Sequence, residues 1–328
     1  QPRSRGLGDV YKRQLWWLDR MAMSDHGLTE RMTWFWHGHW ATSVDKVNFA
    51  LPMFNQNKTL RTHCLGNFKD MSRAMINDSA LQYWLDGQDS TLVAPNENLG
   101  RELMELFVLG VDRYSEDDVK AAARALTGYQ VVNYSGTLTF NPKRHDPNSI
   151  SILGTTKPFN GEELSDFLVA REDCATFIAE RLWYRFISST ETMPTSFGHK
   201  KAFATRDISA AVKAMVQDPA VGDVKNDLVK APVEWFIAAC RALELTPSNL
   251  KTPAQLINYL NQLNQVPFSP PNVGGWPAGE AWLSSASVQY RIAFATWLIK
   301  QSSLRGLLEI PVANRVLKSA CLLYTSPS

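Results

Sequence analysis

The residues of this chain best suited to chemistry are charged side chains and imidazoles set among apolar neighbours or in turns. Glu105 sits inside the apolar run 103–111, and Arg124 inside the run 121–126. A buried ionised group is costly unless it is paired and hydrogen-bonded, so each of these needs a partner or a task. The three alanines at 121–123 would let one helix approach another closely, which makes Arg124 the expected partner of Glu105 across neighbouring helices. Glu97, Arg101 and Glu105 are spaced i, i+4, i+8 and would form a ladder down one helical face. A buried Glu105 with a raised pKa is the functional alternative, as a general acid or base.

His145 and Asp146 occupy a polar loop, NPKRHDPN, in which an imidazole beside a carboxylate is suited to proton transfer. The same pair can simply form a turn, since Asp146-Pro147 favours one. His37 and His39 form an H-x-H pair that would share one face of a strand. Their flanks are helical, and positions i and i+2 of a helix are about 200° apart. They are therefore expected to divide, one hydrogen-bonded in the core and one facing a cleft, and no metal site is assigned. Trp276 and Trp282 flank a stiff Pro/Gly loop, where an indole either holds a sugar ring or anchors the loop to a core. Arg101 and Arg124 are the candidates for positioning an anionic group. Cys64, Cys174 and Cys240 have no metal-ligand spacing and read as buried, inert thiols. There is no nucleotide-binding glycine fingerprint, no G-x-S-x-G elbow and no H-E-x-x-H helix, so the residues name no cofactor.

The elements that must position these groups are mostly helices. Apolar residues recur at three- and four-residue spacing over 15–24, 29–42, 59–76, 80–85, 96–109, 116–127, 161–169, 173–187, 207–216, 232–243, 253–263 and 287–298. Asn96 after Pro95 reads as an N-cap, Gly110 as a stop, Ser115-x-x-Asp118 as a capping box and Pro232 as a first-turn proline. Residues 131–140 and 150–153 alternate or are β-branched and interrupt this pattern. The expected fold is mainly α, a multi-helix orthogonal bundle of about twelve helices with one small β-hairpin or short sheet.

The chain carries 34 basic and 32 acidic residues, for a net charge of +2. Residues 1–14 (QPRSRGLGDVYKRQ) and 321–328 (CLLYTSPS) read as translated adapter sequence, expected to pack poorly outside the core and to be dispensable. The first of these holds four basic residues and one acidic, so the remainder has 30 against 31 and no basic surplus for nucleic acid. No apolar run reaches the roughly 18 residues of a membrane span. The remaining residues, 15–320, can bury one helical domain or two close-packed lobes.

Taken in order, residues 35–43 (FWHGHWATS), 96–110 (NENLGRELMELFVLG), 114–128 (YSEDDVKAAARALTG), 145–146 (HD), 230–234 (KAPVE) and 270–276 (PPNVGGW) resemble the bacterial family catalogued as domain of unknown function 1800. The resemblance covers about residues 15–299 and implies an exported or periplasmic protein. It also implies a co-encoded exported partner from a second family related to sulfatases and phosphatases. Members begin further upstream, so this chain is expected to be a metagenomic fragment lacking its signal region. The family supplies no catalytic residues to carry over.

Two functions follow as expectations. The first is a scaffold or accessory partner of the co-encoded exported protein. The second is an exported hydrolase or lyase acting on a glycan or other polymer, with acid-base groups from Glu105, His145, Asp146 and His39 and with substrate held by Arg101, Arg124, Trp276 and Trp282.

Overall fold

The computed structural model describes residues 2–132, 135–226 and 228–301. It is mainly α, with fifteen α-helices among the described residues, several of them only one or two turns long. In chain order they are α1 (Pro2–Met23), α2 (Gly27–His39), α3 (Val44–Val47), α4 (Ala50–His63), α5 (Phe68–Ile76), α6 (Ser79–Trp84), α7 (Glu97–Glu102) and α8 (Glu116–Ala125). After two small sheets come α9 (Gly161–Ala170), α10 (Glu172–Phe186), α11 (Gly198–Ala202), α12 (Ile208–Val216), α13 (Pro232–Ala242), α14 (Pro253–Gln262) and α15 (Ser285–Ile299). The start signals act as expected. The Asn96 side chain accepts the Asn98 N–H, Ser115 and Asp118 form a reciprocal capping box, and Pro232 occupies the first turn of α13.

The interruption holds two hairpins rather than one. Strand β1 (Tyr129–Val132) pairs antiparallel with β2 (Thr137–Phe140), with Tyr129 opposite Phe140. Strand β3 (Ile150–Ile152) pairs with β4 (Thr155–Lys157). The second hairpin turns at Leu153-Gly154, both at positive φ, and its return strand, Thr-Thr-Lys, is too short and too polar to stand out from a loop by pattern.

The expected single helix over 96–109 is also corrected. α7 ends at Glu102, and Leu103–Val108 continues as a π-helical segment in which the Leu109 N–H reaches back five residues to the Met104 carbonyl, 2.8 Å away. The wider turn rotates the side chains that follow it away from their α-helical directions. It stops at Gly110, whose φ of +92° suits glycine.

Buried apolar side chains fall into two clusters. The larger gathers Phe68, Met75, Leu103, Phe107, Leu164, Ile178 and Leu182. The smaller gathers Trp17, Leu18, Trp235, Phe236, Leu256 and Phe294 from α1, α13, α14 and α15. Helix α2 serves both, giving Phe35 and Trp36, with its C-cap Trp40, to the first and Trp34 to the second. Its burial on nearly all sides explains why it carries little amphipathic signal. α1 contradicts the expectation that residues 1–14 stand outside the core. The helix runs on without a break, Val10 and Gln14 are buried, and the Gln14 side chain donates to the Pro267 carbonyl at 3.1 Å. Residues 321–328 lie outside the described residues.

Candidate functional site

The charged groups singled out in the helices are satisfied, but not by each other. Arg124 pairs with Asp146, Nε to Oδ2 2.6 Å, rather than with Glu105. Glu105 accepts the Tyr114 hydroxyl instead. Glu105 lies within the π-helical segment and Arg124 in the last turn of α8. Arg101 continues the ladder only to Glu97, at 3.2 Å, and is held in bidentate fashion by Glu116 at 2.8 and 2.7 Å. Asp146 is buried and also accepts the backbone and side-chain N–H groups of Asn148, at 3.0 and 2.7 Å. The Arg124 guanidinium holds its carboxyl below the ordinary range, outweighing the effect of burial. His145 Nδ1 sits 3.2 Å from both the hydroxyl and the carbonyl of Thr127. This corner is a closed staple between α8 and the loop after β2. Trp282 is likewise an anchor, buried and donating its N–H to the Pro277 carbonyl at 3.0 Å.

Two other candidates, His39 and Trp276, come together at a place the spacing did not reveal. Two cavities lie either side of Trp34, on the seam between the clusters. The larger, about 280 Å³, lies between α2 and α13, with an apolar wall from Met21, Trp34, Val233 and Ile237. Charged groups line the rest: Glu30, Arg31, Lys230, Glu234 and Arg241. The smaller, about 30 Å³, is lined by Trp34, Phe35, Gly38, His39, Trp276 and Ala278, together with Arg181, Tyr184 and Arg185 from α10.

Helix geometry supplies the cations and the loop supplies the tryptophan. Arg181, Tyr184 and Arg185 are three and four residues apart and so share one face of α10. Glu234 stands in the first turn of α13, where the helix dipole favours a carboxylate. It bonds Arg185 at 3.2 Å and faces Arg31 at 3.9 Å. Burial pushes the Glu234 carboxyl up, but Arg185, Arg31 and Lys230 outweigh it and hold it below its ordinary value. Glu30 is already taken, by Arg20 at 2.6 Å, by Arg61 at 2.8 and 2.9 Å, and by the Trp17 N–H at 3.2 Å. Lys230 and Arg241 have no carboxylate within ion-pair distance among the described residues, and Arg241 donates instead to the carbonyls of Met21 and Ser24. The cavity therefore carries surplus positive charge. Desolvation, with the nearby Arg31, lowers the Lys230 pKa.

The Pro/Gly loop is clamped onto α2. Gly275 has a φ of +79°, and a Cβ there would stand 2.0 Å from the Gly38 carbonyl oxygen, so the G-G-W and H-G-H sequences meet through glycine backbone. Phe268 takes a φ of +68°, a strained value for a bulky residue, and its N–H donates to His37 Nε2 at 3.1 Å. Trp276 is thereby stacked on Trp34, with ring centroids 4.9 Å apart and planes at 20°. His37 and His39 are both buried and bonded to backbone, His37 accepting from the docked loop, and His39 is also among the residues that line the small cavity. His39 Nε2 donates to the Phe107 carbonyl at 2.8 Å, in the last turn of the π-helical segment. Burial lowers both imidazoles to about 3, with Arg181 adding to the effect on His39. Both rings are therefore neutral near pH 7. Residue spacing carries no signal for Arg31, Arg181, Arg185, Lys230 and Glu234 as a group, because they come from α2, α10, α13 and the segment just before α13, far apart in the chain.

The family model described as Protein of unknown function (DUF1800) matches residues 5–325, nearly the whole chain. The chain belongs to the DUF1800 family. Neither the curated proteins nor the solved structures offer a significant match. Three of the stretches on which the DUF1800 resemblance was read, residues 35–43, 230–234 and 270–276, meet around the two cavities, whereas 114–128 and 145–146 meet in the closed corner. Burial raises the thiol pKa of Cys64, Cys174 and Cys240, and the three cysteines are unpaired. Among the described residues no group of three or more His, Cys, Asp and Glu side chains is arranged to hold a metal ion, and no helix is long and apolar enough to cross a membrane.

Proposed function

We propose that this protein is an exported, non-catalytic accessory protein that holds an acidic segment of a co-encoded partner protein in the cavity between α2 and α13. The observation that carries the reading is a 280 Å³ space with an apolar wall and more cations than free carboxylates. An aspartate, glutamate or chain-terminal carboxylate beside an apolar side chain matches both features, with Lys230 and Arg31 facing the charge and Val233 and Ile237 facing the apolar group. The surplus charge also favours fast, salt-sensitive association.

Calorimetric titration with short acidic-apolar peptides tests this. Binding should weaken steadily as salt rises, and Lys230→Met should weaken it about tenfold, as expected for one lost charge-assisted contact. Equal affinity for peptides whose acidic residues are replaced by lysine, or no binding of either kind, overturns it.

The alternative, a hydrolase or lyase acting on a glycan or other polymer, draws on one observation, the neutral His39 ring at the small cavity beside Arg181. An imidazole lowered to about 3 is a weak base at neutral pH, and Glu105, His145 and Asp146 are occupied elsewhere. These facts favour the binding reading.

A further inference from the structure

Lys230 puts a primary amine in the wall of the large cavity. It is partly buried, and no carboxylate lies within ion-pair distance of it among the described residues. Its backbone is fixed. Lys230 precedes the N-cap of α13 by one residue, Pro232 holds the first turn, and the buried Arg291 donates to the Lys230 carbonyl at 2.8 Å. The side chain therefore starts from a rigid point in a wall shared with Arg31, Val233, Glu234 and Ile237.

Three features disfavour the ammonium form there. Burial takes water from the charge, Arg31 repels it, and the positive end of the α13 dipole stands next to it. Glu234 works the other way, but its carboxylate is bonded to Arg185 at 3.2 Å and faces Arg31 at 3.9 Å. The net effect holds the Lys230 amine below its ordinary value. A larger neutral fraction makes a lysine amine a nucleophile toward a carbonyl carbon. Arg31 is half-exposed and its contact with Glu234 is as long as 3.9 Å, which leaves guanidinium donors for an anionic group on the same ligand. A space of about 280 Å³ suits a small molecule with one short apolar arm.

We infer that Lys230 is the attachment point for a small oxo acid, which it captures reversibly as an imine while Arg31 holds the carboxylate and Val233 and Ile237 cover the carbon chain. The ammonium first gives one proton to solvent. The amine lone pair then forms the C–N bond, the carbonyl π pair moves to oxygen, and one N–H proton follows it to give the carbinolamine. Solvent returns a proton to the hydroxyl, water leaves, and the nitrogen lone pair closes the C=N bond of a protonated imine. Amine, carbonyl and one proton thus become iminium and water, with no change of oxidation state. The inference rests on the same surplus charge as the acidic-segment reading, but it needs the amine of Lys230, whereas that reading needs only the charge.

The test is reductive trapping of the full chain with cyanoborohydride, which delivers hydride to the imine carbon and fixes the adduct for peptide mapping by mass spectrometry. Pyruvate is the probe, and acetone, a carbonyl without the acid, is the control. The expected result is one pyruvate adduct per chain, on Lys230, formed faster than any on the exposed Lys120 and lost in favour of even labelling when the chain is unfolded in urea. Arg31→Met should slow the pyruvate adduct about tenfold, the worth of a charge-assisted contact, and leave acetone labelling unchanged. Lys230→Arg keeps the charge and removes the primary amine, so the adduct should vanish while acidic-peptide binding persists. Pyruvate labelling spread over surface lysines overturns the proposal. So does acetone labelling Lys230 as fast as pyruvate, or an Arg31→Met chain that labels like the parent. Peptide binding absent with Lys230 labelling retained counts against the acidic-segment reading alone, and the reverse result counts against the imine alone.

Discussion

The corner between α8 and the loop after β2, and the pair of cavities beside Trp34, are built from the same kinds of residue: arginine, histidine and a buried carboxylate. They differ in bookkeeping. In the corner Arg124 meets Asp146, Asp146 also meets Asn148, and His145 meets Thr127. In the cavities Arg181 has no acceptor for its Nε–H, His39 and Trp276 each keep an unmatched nitrogen, and Lys230 has no carboxylate within ion-pair distance among the described residues. A satisfied polar cluster stabilises a fold, whereas the surplus cations facing the larger cavity leave charge for a ligand to meet. Residue type alone does not distinguish the two.

The largest expected effect comes from acid. His37 and His39 are lowered to about 3 in the folded chain, against an ordinary value near 6.5, so the unfolded chain binds protons first as pH falls. Their contribution is complete above about pH 6.5 and is lost between there and about pH 3, with a slope of about 1.4 kcal/mol per pH unit for each histidine. Urea unfolding at pH 7, 6, 5 and 4 measures it, and a flat profile across that window would place the two imidazoles in contact with water.

The loop comes next. Gly275→Ala combines a positive φ with a Cβ 2.0 Å from the Gly38 carbonyl and should cost on the order of 3 kcal/mol. It should also move Trp276 off Trp34, which lines the larger cavity, so that peptide binding falls together with stability. Unchanged stability would mean that the loop can dock without this contact.

A contrast of two arginines addresses the comparison itself. Arg124→Met strands the buried Asp146 carboxylate and should cost about 1–2 kcal/mol, the low end for a buried pair because Arg124 is partly exposed. A double-mutant cycle should show coupling between Arg124 and Asp146, and additivity within about 0.5 kcal/mol between Arg124 and Glu105. Arg181→Met removes a half-buried cation that has no counterion and should be neutral or stabilising by up to about 1 kcal/mol. If both arginines prove equally costly, the distinction between staple and site fails.

The smallest effect is expected from deleting residues 1–14. The loss of Val10 and Gln14 contacts should lower the melting temperature by several degrees, in the range of about 1–2 kcal/mol. Because Gln14 holds the Pro267 carbonyl, the deletion should also loosen the loop that carries Trp276. A change of less than a degree would restore the adapter reading of this segment.

Much of this was legible in the chain itself. Periodicity and caps marked the helices because these are local effects, each decided within a turn or two: Asn96, Ser115 with Asp118, and Pro232 all act where their spacing placed them. The helical period places His37 and His39 on different sides of α2, where they bond the backbone of Phe268 and of Phe107. The π-helical turn at Leu103–Val108 was not legible, because an α-helix and its five-residue variant share the same apolar pattern. Glu105, within that segment, meets Tyr114, and Arg124 meets Asp146. The continuation of α1 through Val10 was missed because a helix flank with a few buried residues resembles an unpacked segment when its packing partner lies some 250 residues away.

The sequence by itself determined the mainly α class, most helix boundaries, the buried thiols and membership of the DUF1800 family, since each depends on neighbours in the chain or on ordered stretches of residues. Only the tertiary structure decided which charges would meet and which would stay unmatched. Arg31, Arg181, Arg185, Lys230 and Glu234 become neighbours when α2, α10 and α13 pack along the seam, and His39 and Trp276 when Gly275 lets the loop close on Gly38. Ion pairing and hydrogen-bond satisfaction depend on distances of a few ångströms between residues remote in sequence, and residue spacing does not encode such distances.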